Sequence, residues 1–171
     1  ILTEHLIKDV ITIANKKNIP VGVDPKKKNF LAYEDVTFFK PNLKELKEGI
    51  NTPSKLETIE DIINAVDFLH KKLNCRYIMT TLSERGVLIK DYKANTYHHI
   101  PAHLRKIADV SGAGDTVLSV AILCLVCKQD AYNIAALSNL AGGIVCEELG
   151  VIPINKELLL EESKKLNLTT L

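Results

Sequence analysis

Short apolar runs of strand character alternate with longer segments of helical periodicity along this chain, and that alternation restricts the fold more than any other feature. Residues 4–17 place Leu6, Ile7, Val10, Ile11 and Ala14 at the spacing of one helical face. Residues 19–23 then read as a short buried strand ending at Asp24-Pro25, and residues 36–39 as a second strand that stops at Pro41. A short helix over 42–48 and a longer amphipathic one over 59–73 lead to a third strand at 77–80. Residues 87–89 and 96–100 read as a hairpin with Lys93-Ala94-Asn95 at its turn. Beyond Ser111 the pattern is helical, over 113–127, 131–149 and 156–166. This succession predicts an α/β fold, a three-layer sandwich in which a mostly parallel sheet is flanked by helices.

The chain has 171 residues, of which 46% are hydrophobic, enough for one compact domain with a core of its own. No repeat, low-complexity tract or linker divides it. Lys plus Arg number 22 against 21 for Asp plus Glu, so no global field is available to hold a nucleic-acid backbone or an anionic membrane. The longest apolar run, 117–127, falls well short of the ~20 residues of a membrane span. The chain opens directly into a helix with no initiating Met, which raises the expectation that it continues something longer. A sheet edge left uncovered by such a cut would favour self-association, and a homodimer is expected. Of the four cysteines, Cys75 and Cys146 stand alone. Cys124 and Cys127 form a C-x-x-C inside an apolar helical run with no second Cys or His pair, so buried thiols and a cytoplasmic location are expected.

The strongest chemical signal is Asp109-Val110-Ser111-Gly112-Ala113-Gly114-Asp115-Thr116, placed where an apolar helix begins. Two glycines allow a tight turn that aims several N–H groups at one point, and with the helix N-terminus they make an anion hole suited to phosphate. A carboxylate there repels phosphate unless it has a task, and accepting a proton from an attacking hydroxyl is such a task for Asp115. A common glycine-rich helix start is the alternative. No Gly-Lys-Ser/Thr follows, so this is not a Walker loop. Lys40-Pro41-Asn42-Leu43-Lys44-Glu45 follows a strand. Asn42 and Glu45 have the spacing of a capping box, and also the chemistry to hold a hydrated magnesium ion beside phosphates at a strand's carboxyl end. Thr80-Thr81-Leu82-Ser83-Glu84-Arg85-Gly86 is either a phosphate-contacting turn or an ordinary strand-to-hairpin connection. Ser138-Asn139-Leu140-Ala141-Gly142-Gly143 puts glycines inside a helix, where they lower stability, so another helix, or less readily a flat ligand, approaches closely. His98, His99 and His103 do not predict a metal, because adjacent strand residues point to opposite faces.

These four segments in this order resemble the ribokinase-like carbohydrate kinases of the PfkB family, over essentially the whole chain but only the second half of the family's domain. The resemblance implies that amides of Gly112, Ala113 and Gly114 form the anion hole, with Asp115 as catalytic base. It implies that Asn42 and Glu45 of Asn42-Leu43-Lys44-Glu45 position magnesium and phosphate. Thr81, Ser83 and Gly86 correspond to the nucleotide-binding turn, with Ser83 where the family has Gly. Asn139 corresponds to the Asn near adenine, and Gly142 lets the helix lie close to the nucleotide. Val23-Asp24-Pro25-Lys26-Lys27-Lys28-Asn29-Phe30 is similar to the heptose-phosphate kinases of ADP-heptose synthesis, although Lys27 replaces Gly and Asn29 replaces Asp; Lys26 or Lys28 would then meet a sugar phosphate. The implied activity is transfer of phosphate from ATP, with Mg2+, to a sugar hydroxyl, the acceptor resembling D-glycero-D-manno-heptose 7-phosphate. The missing N-terminal part would supply the lid and most sugar contacts. Another sugar or nucleoside kinase, or a noncatalytic nucleotide-binding fragment, are the alternatives.

Overall fold

A computed structural model of the chain describes residues 2–53, 55–103 and 105–168. It separates into two compact units. The first holds the described residues up to Thr81 together with Lys90–Tyr97, and the second holds Leu82–Ile89 and the described residues from His98 onward.

In the first unit, helix α1 (Glu4–Lys16) begins at Thr3, whose hydroxyl accepts from the Leu6 N–H, and buries Ile7 and Ile11. Strand β1 (Gly22–Val23) runs parallel to β2 (Phe38–Phe39), with Gly22 opposite Phe38 and Val23 opposite Phe39. β2 runs parallel to β3 (Tyr77–Thr81). Only a 3₁₀ turn at Lys27–Asn29 interrupts the link from β1 to β2, whereas α2 (Leu43–Gly49) and α3 (Ile59–Leu73) fill the crossover from β2 to β3. Phe38, Phe39, Tyr77, Ile78, Met79 and Thr80 are buried in unbroken succession along their strands, as expected for parallel strands covered on both faces. Leu46 of α2 and Ile62, Val66, Leu69 and Leu73 of α3 supply the cover. β1 and β2 are shorter than the sequence suggests. Ile19 is 53% exposed, and Val21 N donates to the Thr37 side chain rather than to backbone.

Strands β4 (Val87–Asp91) and β5 (Thr96–Ile100) complete a 5-stranded sheet in the order β1-β2-β3-β4-β5. Links as short as those on either side of β4 permit only antiparallel neighbours. The Asp91 carboxylate fixes the hairpin by accepting from the N–H groups of Lys93 and Ala94. β5 is the edge strand, with its polar residues largely exposed. The fold is therefore α/β, a sheet flanked by helices whose first three strands are parallel.

The second unit is dominated by α4 (Ala113–Val126) and α5 (Ala131–Val145), followed by α6 (Lys156–Lys165). α4 and α5 pack so closely that a Cβ on Gly142 would lie 2.5 Å from Val117 Cγ2. The glycine inside the helix thus serves helix packing. α5 ends at Val145, short of the 149 expected. Cys146 O, which would accept from Gly150 in a continuing helix, accepts instead from Ala108 N and Asp109 N, and Gly150 N turns to the Asp109 carboxylate. Arg105 ties the end of α5 to α6 through Glu147 and Glu162. Burial pushes the Cys75 thiol up to about 12 and, helped by Cys127, the Cys124 thiol up to about 11, so both stay protonated. Cys127, expected to be buried, is exposed because it caps the C-terminus of α4, where the chain leaves the packed face. No described helix is long and apolar enough to cross a membrane.

Candidate functional site

Two clusters of the residues singled out above are formed, one in each unit. In the first unit, the parallel register that sets Val23 beside Phe39 delivers the next residues, Asp24 and Lys40, side by side. Lys40 is 2% exposed, and its ammonium lies 2.9 Å from Asp24 Oδ1. Lys26 Nζ lies 3.0 Å from Asp24 Oδ2 and 3.6 Å from Glu45 Oε1. Burial alone would raise the Asp24 carboxyl, but hydrogen bonds and charges from Lys40 and Lys26 outweigh it and hold the group below its ordinary value. The hydrogen bond to Asp24 in turn raises Lys26.

The capping box is real. Glu45 N donates to Asn42 Oδ1 at 2.8 Å, and Asn42 N donates to Glu45 Oε2 at 2.9 Å. The second oxygen of Glu45, Oε1, takes no part in the box and faces the Lys26 ammonium. Asn42 also bridges to Thr81 in parallel, and Thr81 N donates to Pro41 O, so Asn42, Glu45 and Thr81 gather at the carboxyl ends of β2 and β3. Lys28 does not join them. It lines a cleft of about 570 Å³ together with Lys8, Lys27, Phe30 and Glu48.

In the second unit, the turn after β3 closes with Leu82 N donating to Gly86 O. Ser83, where the resemblance has Gly, adopts φ +55°, and Gly86 φ +85°. Gly86 packs on the backbone of Ile100–Ala102, and Asn139 Nδ2 donates to Pro101 O at 2.9 Å. The turn and Asn139 are thus pinned to the same stretch. Farther on, Asp109 organises the loop before α4. Its Oδ1 accepts from Ser111 N and Oγ, and its Oδ2 from Gly150 N. The Ser111 hydroxyl and amide, with the Gly150 amide, hold this carboxyl below its ordinary value.

Gly112 occupies the N-cap of α4 at φ +79°, a conformation that suits only glycine well. Thr3, Asn42, Thr58, Asp130 and Asn155 cap the other five α-helices with their side chains, whereas α4 has no side-chain cap. Ala113 N makes a long bond to Val110 O at 3.3 Å. Among the described residues, the N–H groups of Gly112, Gly114 and Asp115 have no partner, and neither has the exposed Asp115 carboxylate. An uncapped helix start with open donors attracts an anion. Gly142 meets Val117 from α5. The histidines serve separate neighbours, His98 edge-on to Tyr132 and His99 hydrogen-bonded to Arg85 O.

No group of three or more His, Cys, Asp or Glu able to hold a metal ion occurs among the described residues. The hard oxygens of Asn42 and Glu45 are of the kind that fits an ion such as magnesium, which keeps most of its coordination for water and phosphate.

The profile of the pfkB family carbohydrate kinases matches residues 2–158. The bifunctional protein HldE of Syntrophotalea carbinolica is 35% identical over 163 residues, 94% of this chain and 32% of its own length. The HldE of Aliarcobacter butzleri is 36% identical over 150 residues, 88% of this chain and 30% of its own length. The chain thus spans about a third of these relatives. Escherichia coli phosphofructokinase-2, solved with substrates and products, superimposes with a TM-score of 0.85 at 19% identity, over 97% of this chain and 53% of that one. Arabidopsis thaliana ribokinase, complexed with ribose and ATP, gives 0.81 at 20% identity, over 93% of this chain and 52% of that one. These likenesses fix the fold as ribokinase-like.

Proposed function

The chain belongs to the pfkB family of carbohydrate kinases, and on that premise we propose that it supplies the ATP-binding and catalytic part of a sugar kinase whose acceptor is a heptose phosphate, D-glycero-D-manno-heptose 7-phosphate or a close relative. The observation that carries the reading is the head of α4, where an unpartnered, exposed carboxylate stands among N–H groups that no side chain caps. A pure binding module gains nothing from a negative charge beside phosphate. A kinase does, because a sugar hydroxyl is hardly ionised near neutral pH and needs a proton acceptor as it attacks.

In this mechanism Asp115 takes the hydroxyl proton, and the amides around Gly112 and Gly114 stabilise the charge on the transferring phosphoryl group. Thr81, Ser83 and Gly86 follow the nucleotide phosphates, and Asn139 faces the base. Gly142 acts indirectly, by letting α5 approach the first turns of α4. Asn42 and Glu45 would hold a magnesium ion, which when bound neutralises phosphate charge. Lys26 or Lys28 would meet the acceptor's phosphate, Lys26 by leaving Asp24 and Glu45 and Lys28 from its separate cleft. The heptose assignment is supported by the relation to HldE proteins and by the Asp24-Pro25-Lys26 and Pro41-Asn42-Leu43-Lys44-Glu45 segments. The same reading places the activity in the cytoplasm, where the free cysteines would stay reduced.

Turnover and nucleotide affinity of the full-length enzyme, measured side by side for Asp115→Asn, test the reading. Turnover is expected to fall about 10²–10⁴-fold with little change in affinity. Turnover within a few-fold of the parent removes Asp115 from the base role. Faster phosphorylation of ribose or fructose 6-phosphate than of heptose 7-phosphate removes the heptose assignment alone.

A further inference from the structure

Lys26 holds a position that phosphate binding alone does not explain. Its side chain is 74% exposed, so only its charge partners fix it in place. Asp24 Oδ1 is committed to the buried Lys40, and Glu45 Oε2 to the Asn42 amide. The oxygens left over are Asp24 Oδ2 and Glu45 Oε1, and the Lys26 ammonium contacts both, at 3.0 Å and 3.6 Å. Lys40 cannot exchange partners in this way, being buried beneath them. Lys27 is engaged elsewhere, 3.4 Å from Glu48.

We propose that Lys26 is a tethered counter-cation that occupies the two spare carboxylate oxygens of Asp24 and Glu45 in the metal-free protein and yields them to the divalent cation. The inference rests on the magnesium role of Glu45 proposed above. The ammonium and a hard divalent ion seek the same lone pairs, so occupancy by one weakens the other, and the relation is reciprocal. An exposed, flexible stem lets Lys26 withdraw without disturbing the core. Lys26 thereby sets how much divalent cation the site needs, and it keeps two neighbouring carboxylates compensated until that ion arrives.

The test is Mn2+ binding to the nucleotide-free, full-length protein, followed by loss of the free-ion electron paramagnetic resonance signal. Lys26→Gln is expected to tighten Mn2+ about tenfold by removing the competitor, and Glu45→Gln to weaken it. Lys27→Gln should stay within about twofold of the parent, because its exposed charge is screened and lies on a different carboxylate. If Glu45→Gln weakens binding while Lys26→Gln leaves it unchanged, weakens it, or alters it no more than Lys27→Gln does, the counter-cation role is overturned and the magnesium role stands. If Glu45→Gln binds Mn2+ as the parent does, or the parent binds none, the magnesium role falls and this inference with it.

Discussion

Asp24 and Asp115 carry the same functional group under opposite conditions. Asp24 lies at the end of β1, wrapped by Lys40 and Lys26, and is held below its ordinary pKa. Asp115 stands in the first turn of α4, exposed and without a partner. One carboxylate has every oxygen occupied by charge from its own chain, and the other has none. The contrast extends to the helices that follow. α2 opens with a closed capping box, while α4 opens on a glycine with its amides unspent. A group engaged on all sides organises its neighbours, and a group left bare is available to something from outside.

That contrast breaks most sharply when activity is read against stability. Asp115→Asn should lower turnover by about 10²–10⁴-fold yet move the denaturation midpoint little, since its side chain has no hydrogen bond or ion pair to lose, only the modest attraction of its charge to the helix N-terminus. A loss of midpoint comparable to that of a core variant would show that Asp115 is structural. Lys40→Met should do the reverse in stability, costing about 3 kcal/mol by stranding Asp24 without its buried partner, as measured by urea unfolding. The pH response sharpens the point. Because the folded pKa of Asp24 is lowered, its contribution is present above the unfolded value of about 4 and fades as pH falls through the folded value. The parent should therefore lose more stability than Lys40→Met between about pH 7 and about pH 3. Equal losses would mean that the pair contributes nothing. Gly142→Ala tests whether α4 is held by close packing behind its open end. A Cβ 2.5 Å from Val117 Cγ2 should cost about 1–3 kcal/mol, and a neutral result would show that α4 can shift. The smallest effect concerns Ser83, a non-glycine residue at φ +55°. Ser83→Gly should raise stability by about 0.5 kcal/mol, relief of the left-handed strain slightly exceeding the added freedom of the unfolded chain. A clear loss would mean that the Ser83 side chain makes a compensating contact.

What could be read from sequence followed from local rules. The helix starts, the Asn42–Glu45 capping box and the glycine turn before Asp115 are each set within a few residues, and the structure has them where the spacing predicts. The Lys40–Asp24 pair was not legible, because its members are brought together only by the parallel register of β1 and β2. In the sequence Lys40 is only the residue ahead of Pro41-Asn42, and its burial depends on strands that have to be paired first. The end of α5 escaped for a similar reason. Nothing near Val145 announces a stop, since the bonds that end the helix come from Ala108 and Asp109. The different places of Lys26 and Lys28, one on the carboxylates and one in the cleft, likewise depend on how the 3₁₀ turn at Lys27–Asn29 directs successive side chains.

The bond from Gly150 N to Asp109 spans 41 residues and has a consequence for the order of assembly during synthesis. The loop that presents Asp115 precedes α4 and α5, yet one of its braces follows them. A chain emerging from the ribosome can form α4 early from local contacts, but the loop at its head cannot be locked until α5 has folded back and Gly150 has been made. On the proposed reading, phosphate-binding competence would then be among the last properties acquired, and a half-made chain would not capture nucleotide. Pulse-labelled hydrogen exchange during refolding should find the Ser111 amide protected later than the amides in the middle of α4, and simultaneous protection would show that the loop orders without its distant brace.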